Sequence, residues 1–265
     1  MYSALTLLKK YLHYYATASN SKGHGMHSPF VFQFITQLLN DKNKPVAFEK
    51  IEQLRRQLKQ DDRVLQIEDF GAGSTVTKSN TRKVGSIART ALKPAKYGQL
   101  MHRMVKYYSS ATVVELGTSL GLTSSYLASA NPATKVFTME GSGKVAKVAL
   151  ENFKKLGLQN IELVQGNFDE TLEPLLQRLP VIDLGFVDGN HRKEPTIRYF
   201  EMLLTKANEY SIFIFDDIHW SKEMEEAWHY IQHHSSVTLT IDLFFIGIVF
   251  FRKEQLIPQH FAIRY

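Results

Sequence analysis

At 265 residues with 44% hydrophobic side chains, the chain is long enough for one large domain, or a domain with an extension, and too apolar for wholesale disorder. It contains no cysteine, which excludes disulfides, thiolate metal sites and cysteine nucleophiles. The net charge of +6 is uneven, since residues 1–110 carry 18 Lys/Arg against 7 Asp/Glu and residues 111–265 carry 14 against 19. A basic first part suits an anionic substrate or nucleic acid, and it equally suits a solvated surface.

The N-terminus is amphipathic, with Leu5, Leu8, Leu12 and Tyr15 on one helical face and Lys9 and Lys10 interrupting it. It has neither a signal-peptide core nor a transmembrane-length run, and the longest apolar stretch, 243–251, is too short to span a bilayer. A soluble cytoplasmic protein with no membrane partner is expected. Residues 19–29 (SNSKGHGMHSP) form a loop by their Gly, Ser and Pro content, followed by a helix bearing Phe30, Phe34, Ile35, Leu38 and Leu39. Pro45 opens a third helix through Leu58. A Gly-rich loop, Asp69-Phe70-Gly71-Ala72-Gly73-Ser74, and a polar stretch to Lys83 precede helices over 84–92 and 98–108.

From Thr112 short β-rich runs alternate with helical segments: 112–116, 135–140, 161–165, 181–188 and 211–216. That alternation predicts a mostly parallel sheet with helices on both faces, a Rossmann-like α/β fold. Two final runs, 237–243 and 245–252, are close enough for an antiparallel hairpin around Gly247.

The run Val113–Gly121 (VVELGTSLG) reads as a strand entering a Gly turn. Gly117 permits a tight turn and close approach of a ligand, and Gly121 lets the next helix begin against the strand, with Thr118 and Ser119 between them. The pattern E-x-G-x-x-x-G departs from the G-x-G-x-x-G with which dinucleotide folds grip a pyrophosphate. S-adenosylmethionine has no pyrophosphate, and its carboxylate and ammonium need a wider turn with an acidic residue, Glu115, nearby. The second strand ends at Glu140-Gly141, 25 residues past Glu115 for the carboxylate, where it can accept both ribose hydroxyls. After the third strand, Asn167 can meet an adenine edge and Phe168 its face.

With these motifs in order, residues 94–252 resemble the class I methyltransferases, in particular their metal-dependent O-methyltransferase branch; Pro94 to Leu100 (PAKYGQL) is similar to the segment that precedes the first motif there. The resemblance implies a seven-stranded sheet with the last strand antiparallel and S-adenosylmethionine across the strand carboxyl ends. It divides the chain into a helical extension, 1–93, and a methyltransferase domain, 94–265.

The fourth strand ends in Asp188-Gly189-Asn190-His191 and the fifth in Asp216-Asp217-Ile218-His219-Trp220. Adjacent parallel strand ends lie side by side, so Asp188, Asp216 and Asp217 can present three hard oxygens to Mg²⁺ or a similar cation. His191 can take the acceptor's hydroxyl proton, because imidazoles exchange protons near neutral pH. The set Asp188, His191, Asp216, Asp217 is similar to that of macrolide-sugar O-methyltransferases, whereas catechol-type relatives carry Lys at the His position and Asp-Asn at the pair. Other roles stay open: Asp188 on the cofactor or a helix N-terminus, one of the Asp pair capping the next helix, Trp220 in packing.

The expected reaction is O-methylation of a small hydroxylated, sugar-like acceptor. Two alternatives stand beside it, an RNA methyltransferase favoured by the basic N-terminal part and a non-catalytic cofactor-binding interaction protein. Residues 1–93 read either as a lid, with 71–74 mobile and Arg82, Lys83 and Arg89 near substrate, or as a homodimerisation arm built from the N-terminal helices.

Overall fold

The computed structural model describes residues 1–67 and 81–265. In chain order the elements are α1 (Ala4–Thr17), α2 (Pro29–Gln33) continuing into a π-helical turn (Phe34–Leu39), α3 (Val46–Lys59), β1 (Val64–Gln66), β2 (Thr81–Lys83), α4 (Val84–Thr90) and α5 (Ala95–Tyr107). Alternation then begins with β3 (Thr112–Leu116), α6 (Leu122–Ser129), β4 (Lys135–Glu140), α7 (Gly143–Leu156), β5 (Ile161–Gln165) and α8 (Phe168–Gln177). It continues through β6 (Leu184–Val187), α9 (Lys193–Leu204), β7 (Ile212–Asp216) and α10 (Lys222–Gln232), and ends with β8 (Leu239–Asp242), β9 (Ile246–Phe250) and β10 (Gln259–Ala262). Among the described residues no helix is long and apolar enough to cross a membrane. The Gly-rich loop 69–74 lies outside the described residues.

The chain forms two compact units, Asn43–Leu179 and Met1–Lys42 with Pro180–Tyr265. The helices of 1–93 are therefore shared, α1 and α2 in one unit, α3 and α4 in the other.

In the unit Asn43–Leu179, β3, β4 and β5 pair in parallel, with Val113 opposite Val136 and Val136 opposite Ile161. Val113, Val114 and Leu116 are fully buried, as expected of a strand covered on both faces. Phe48, Ile51, Leu54 and Leu58 of α3 join Val84 and Ile87 of α4 in one cluster with Leu120, Leu122, Tyr126, Val145 and Val148. The helices before the first motif thus pack on the back of the Gly turn. Each such fully buried aliphatic side chain contributes about 1.5–3 kcal/mol. Gly98 allows α5 to lie on α6, since a Cβ there would stand 2.4 Å from the Tyr126 ring.

In the other unit, β6 and β7 are parallel, β9 runs antiparallel to both β7 and β8, and β10 is parallel to β8. Eight strands belong to the mostly parallel sheet, one more than the seven expected, because residues 259–262 add β10 at its edge. The hairpin is present, but its turn lies at Phe244 and not at Gly247. Phe244 has φ 68° and donates its N–H to Asp242 Oδ1 at 2.7 Å. Gly247 sits inside β9, where a Cβ would come within 2.5 Å of the Trp228 ring. Helix α1 docks through Tyr14 and Ala18 onto Phe244, and the Tyr14 hydroxyl donates to the Ile263 carbonyl.

Candidate active site

The turn after β3 takes three left-handed residues in five: Gly117 (φ 109°), Ser119 (φ 49°) and Gly121 (φ 79°). At Gly121 a Cβ would meet the Phe153 ring at 2.5 Å, so glycine is needed for both conformation and space. The N–H groups of Gly117 and Thr118 both donate to the Met139 carbonyl at 3.0 Å, tying the turn to β4. Thr118 is buried and shares a 2.6 Å hydroxyl contact with Thr138.

Glu115 and Glu140 have different surroundings. Glu115 is fully buried; Thr138 donates to its Oε2 at 2.6 Å and Ser124 donates to the same oxygen. Burial pushes its pKa up to about 7, against the pull of those two hydroxyls, and the nearby Glu140 charge adds to the rise. Glu140 stands half-buried at the end of β4, receiving the Ser119 N–H on Oε2 at 2.8 Å and the Ser142 N–H on Oε1 at 2.9 Å. Those bonds fix the carboxylate against the turn. Gly141 follows as a bend between Glu140 and Ser142. Asn167 caps α8, accepting the Asp169 N–H at 3.2 Å, and places the half-buried Phe168 as the first helical residue.

In the other unit, Asp188, His191 and Asp216 each offer a ligand atom, all within 4.8 Å of one another. Asp216 is buried at the end of β7, and Asp188 follows β6. His191 Nε2 lies 3.6 Å from Asp188 Oδ1, and its Nδ1 lies 4.0 Å from Asp217 Oδ2. Asp217, counted with the ligands in the sequence, therefore sits against the opposite nitrogen of the imidazole. Asn190, His191 and Asp217 have φ of 68°, 44° and 53°, a left-handed region that Asn, Asp and His enter more readily than other non-glycine residues. Asp217 is held there by its N–H bond to the Phe245 carbonyl at 2.8 Å. Neither Asp216 nor Asp217 caps α10, since Ser221 does so by accepting the Met224 N–H at 3.2 Å. The carboxylates of Asp188 and Asp216 form an oxygen donor pair suited to a divalent cation, with the His191 imidazole beside them, so the residues present fit the metal that the motif implies.

Trp220 lies with its ring centroid 5.7 Å from that of His191. Sequence reasoning named Trp220 but missed what holds it: Tyr2 donates its backbone N–H to the Trp220 carbonyl at 3.0 Å. It also missed the network beside it. His219 bonds Asp242 Oδ2 at 2.7 Å and Glu225 Oε1 at 3.2 Å, so it serves the scaffold and not the ligand cluster. Burial works against a charged His219, yet its bonds to Asp242 and Glu225 outweigh that and raise its pKa. Glu225 also takes Lys10 Nζ at 2.9 Å and the Tyr2 hydroxyl at 2.7 Å. No local motif marks these partners, which lie more than 200 residues apart. Arg82, Lys83 and Arg89 are committed to Thr90, Asp62 and the Lys59 carbonyl respectively.

Comparison with known proteins bears on the fold. Residues 114–218 match a family described as a methyltransferase domain. An uncharacterized protein of Acanthamoeba polyphaga mimivirus is 34% identical over 65 residues, which cover 23% of this chain and only 29% of that protein. The fold is similar to that of a methyltransferase of Podospora anserina solved with S-adenosylhomocysteine, with a TM-score of 0.59, 14% identity and coverage of 85% of this chain and 97% of that one. It is also similar to an O-methyltransferase of Bacillus cereus in complex with S-adenosylhomocysteine, with a TM-score of 0.54, 18% identity and coverage of 83% and 97%. Likenesses at that identity speak for the fold.

Proposed function

We propose that this chain, through its methyltransferase domain, moves a methyl group from S-adenosylmethionine to a hydroxyl of a small, sugar-like acceptor, assisted by Mg²⁺ or a similar divalent cation. The observation that carries the reading is the gathering of Asp188, His191 and Asp216 within 4.8 Å of one another. A class I fold alone hosts many acceptors, whereas a pair of carboxylates beside an imidazole suits chemistry on an oxygen nucleophile.

The residues divide the work. Glu140, held by the Ser119 and Ser142 N–H groups, accepts the ribose hydroxyls, and the Gly117–Gly121 turn receives the methionine end. Asn167 and Phe168 serve the adenine. Glu115 supports the turn from beneath through Ser124 and Thr138. Asp188 and Asp216, with Asp217 beside them, hold the cation. Such a cation lowers the pKa of a bound hydroxyl and fixes its direction. His191 takes the proton from the acceptor hydroxyl; the oxygen then bonds to the methyl carbon while the carbon–sulfur pair leaves with sulfur, giving the ether and S-adenosylhomocysteine. Alignment of oxygen, carbon and sulfur is the larger part of such catalysis. The cysteine-free composition fits a cytoplasmic setting.

The test is calorimetric titration of Mg²⁺ into protein saturated with S-adenosylhomocysteine, beside an Asp216→Ala control. Saturable binding lost in the control supports the reading and directs a screen to polyols and sugars. Cofactor binding without Mg²⁺ binding removes the cation and reopens RNA as the acceptor.

A further inference from the structure

Three imidazoles meet where helix α10 ends beside the edge of the sheet. His229 lies in the last turn of α10 and His233 is its C-cap, so the two stand four positions apart on one face. Their rings stack with centroids 4.1 Å apart. His260 comes from the edge strand β10, opposite Thr240 of β8, and its ring centroid lies 5.7 Å from that of His233. All three residues are exposed. His234, next in sequence, is engaged elsewhere: its Nδ1 accepts the Ser236 N–H at 3.2 Å, and its Nε2 lies 3.5 Å from Glu201 Oε1.

Hydrogen bonds on two of the rings leave the same nitrogen open. His233 Nδ1 lies 2.8 Å from the His229 carbonyl, which can only accept, so Nδ1 carries the proton and Nε2 of the neutral ring keeps its lone pair. His260 Nδ1 is engaged by the Thr240 hydroxyl at 2.9 Å, which again leaves Nε2. A partner on one ring nitrogen with the other open is the usual setting of a metal-bound imidazole. Partial desolvation and the His233 charge lower the pKa of His260, which keeps that ring neutral and its lone pair available. The carbonyl end of α10 carries a partial negative charge and favours a bound cation at this spot.

We propose that His229, His233 and His260 bind one borderline divalent transition-metal ion, such as Zn²⁺, through their Nε2 atoms, with water in the remaining position. Two histidines four apart on a helix have the spacing of zinc ligands. Imidazole suits Zn²⁺, whereas Mg²⁺ seeks oxygen, so this site and the Asp188–Asp216 site select different ions. The chain has no cysteine to draw zinc elsewhere. Among the described residues only Asp188, His191 and Asp216 already gather their ligand atoms within 4.8 Å. The three histidine rings close on an ion by turning about χ1 and χ2, as exposed side chains do freely. The proposal is independent of the reaction the chain performs.

The test is calorimetric titration of Zn²⁺ into the full chain near neutral pH, in a buffer that does not chelate. The Asp216→Asn chain serves as the background, so that the carboxylate site is disabled. One Zn²⁺ per chain is expected to bind saturably there. Adding His229→Ala, His233→Ala or His260→Asn is expected to weaken binding at least about tenfold, the lower end of what losing even a ligand's own partner costs. His260→Asn keeps a polar group near Thr240 and removes Nε2. With all three side chains exposed, the metal-free melting temperatures should match that of the background, which separates a lost ligand from a lost fold. No Zn²⁺ binding to the Asp216→Asn chain overturns the proposal. So does binding that survives His229→Ala and His233→Ala together, or an affinity unmoved by His260→Asn. None of these outcomes alters the Mg²⁺ titration of the wild type.

Discussion

His191 Nε2 stands 3.6 Å from Asp188 Oδ1, beyond direct hydrogen-bond reach yet close enough for the two to act on one shared group beside them. An imidazole placed so, on a backbone of positive φ, is oriented by its loop and not by a bond to the carboxylate. Replacing it with Asn leaves the loop's left-handed conformation tolerable, because Asn enters that region readily. His191→Asn is expected to lower turnover about 10²–10⁴-fold, the range typical of a lost general base. The affinity for S-adenosylhomocysteine, measured by calorimetry, should stay within twofold. Equal loss of both would show that His191 builds the fold and does not carry the proton.

Asp188 and Asp216 bring carboxylate oxygens to 4.8 Å or less. At that separation two negative charges repel by roughly 3 kcal/mol at an effective dielectric near 20. A divalent cation cancels that repulsion and binds the native state alone, so Mg²⁺ should raise the melting temperature in a saturable way. In Asp216→Asn the repulsion and one ligand are both gone. That variant should melt at or above the metal-free wild type and show no response to Mg²⁺. A response of equal size in wild type and variant would place the cation elsewhere.

Glu140 holds two backbone N–H groups, from Ser119 and Ser142, at 2.8 and 2.9 Å. Glu140→Ala strips both donors of a charged acceptor, at a cost of about 1–3 kcal/mol. Glu140→Gln keeps one oxygen and the shape but loses the charge and one acceptor. Both variants are expected to weaken S-adenosylhomocysteine binding at least tenfold in calorimetry, with the Gln form the more stable in urea. Cofactor affinity untouched in the Gln form would remove Glu140 from the cofactor site.

The strand ends were legible in the sequence because β-rich runs and the residues closing them are local: Glu140 and Asp216 close β4 and β7 as read, and Asp188 follows β6, which ends one residue earlier than read. Whatever depends on distant partners was not. Gly247 looks like a turn residue until Trp228, nineteen positions earlier, is found against it. The four residues of β10 are too few and too mixed to signal a strand, and they pair only because β8 presents an edge. Periodicity marked Leu5, Leu8 and Leu12 as one face but could not say what covers it. The face that packs inside the chain is instead built from Tyr2, Lys10, Tyr14 and Ala18.

Glu115 makes the stability of the protein depend on pH in a direction opposite to that of most carboxylates. Its Oε1 is buried and takes no hydrogen bond among the described residues, so the ionised form is poorly solvated. The folded pKa of about 7 lies above the ordinary 4.5, so the unfolded chain releases this proton first as pH rises. The contribution is thus fully present below about pH 4.5 and is lost as pH climbs through about 7, amounting to at most about 3 kcal/mol. Glu115→Gln cannot ionise and retains an oxygen for Ser124 and Thr138. The melting temperature of the variant minus that of the wild type should therefore grow more positive between pH 5 and pH 8. Other titrating groups cancel in that difference. A difference flat with pH would mean that the buried carboxylate is already ionised, or compensated, in the folded protein.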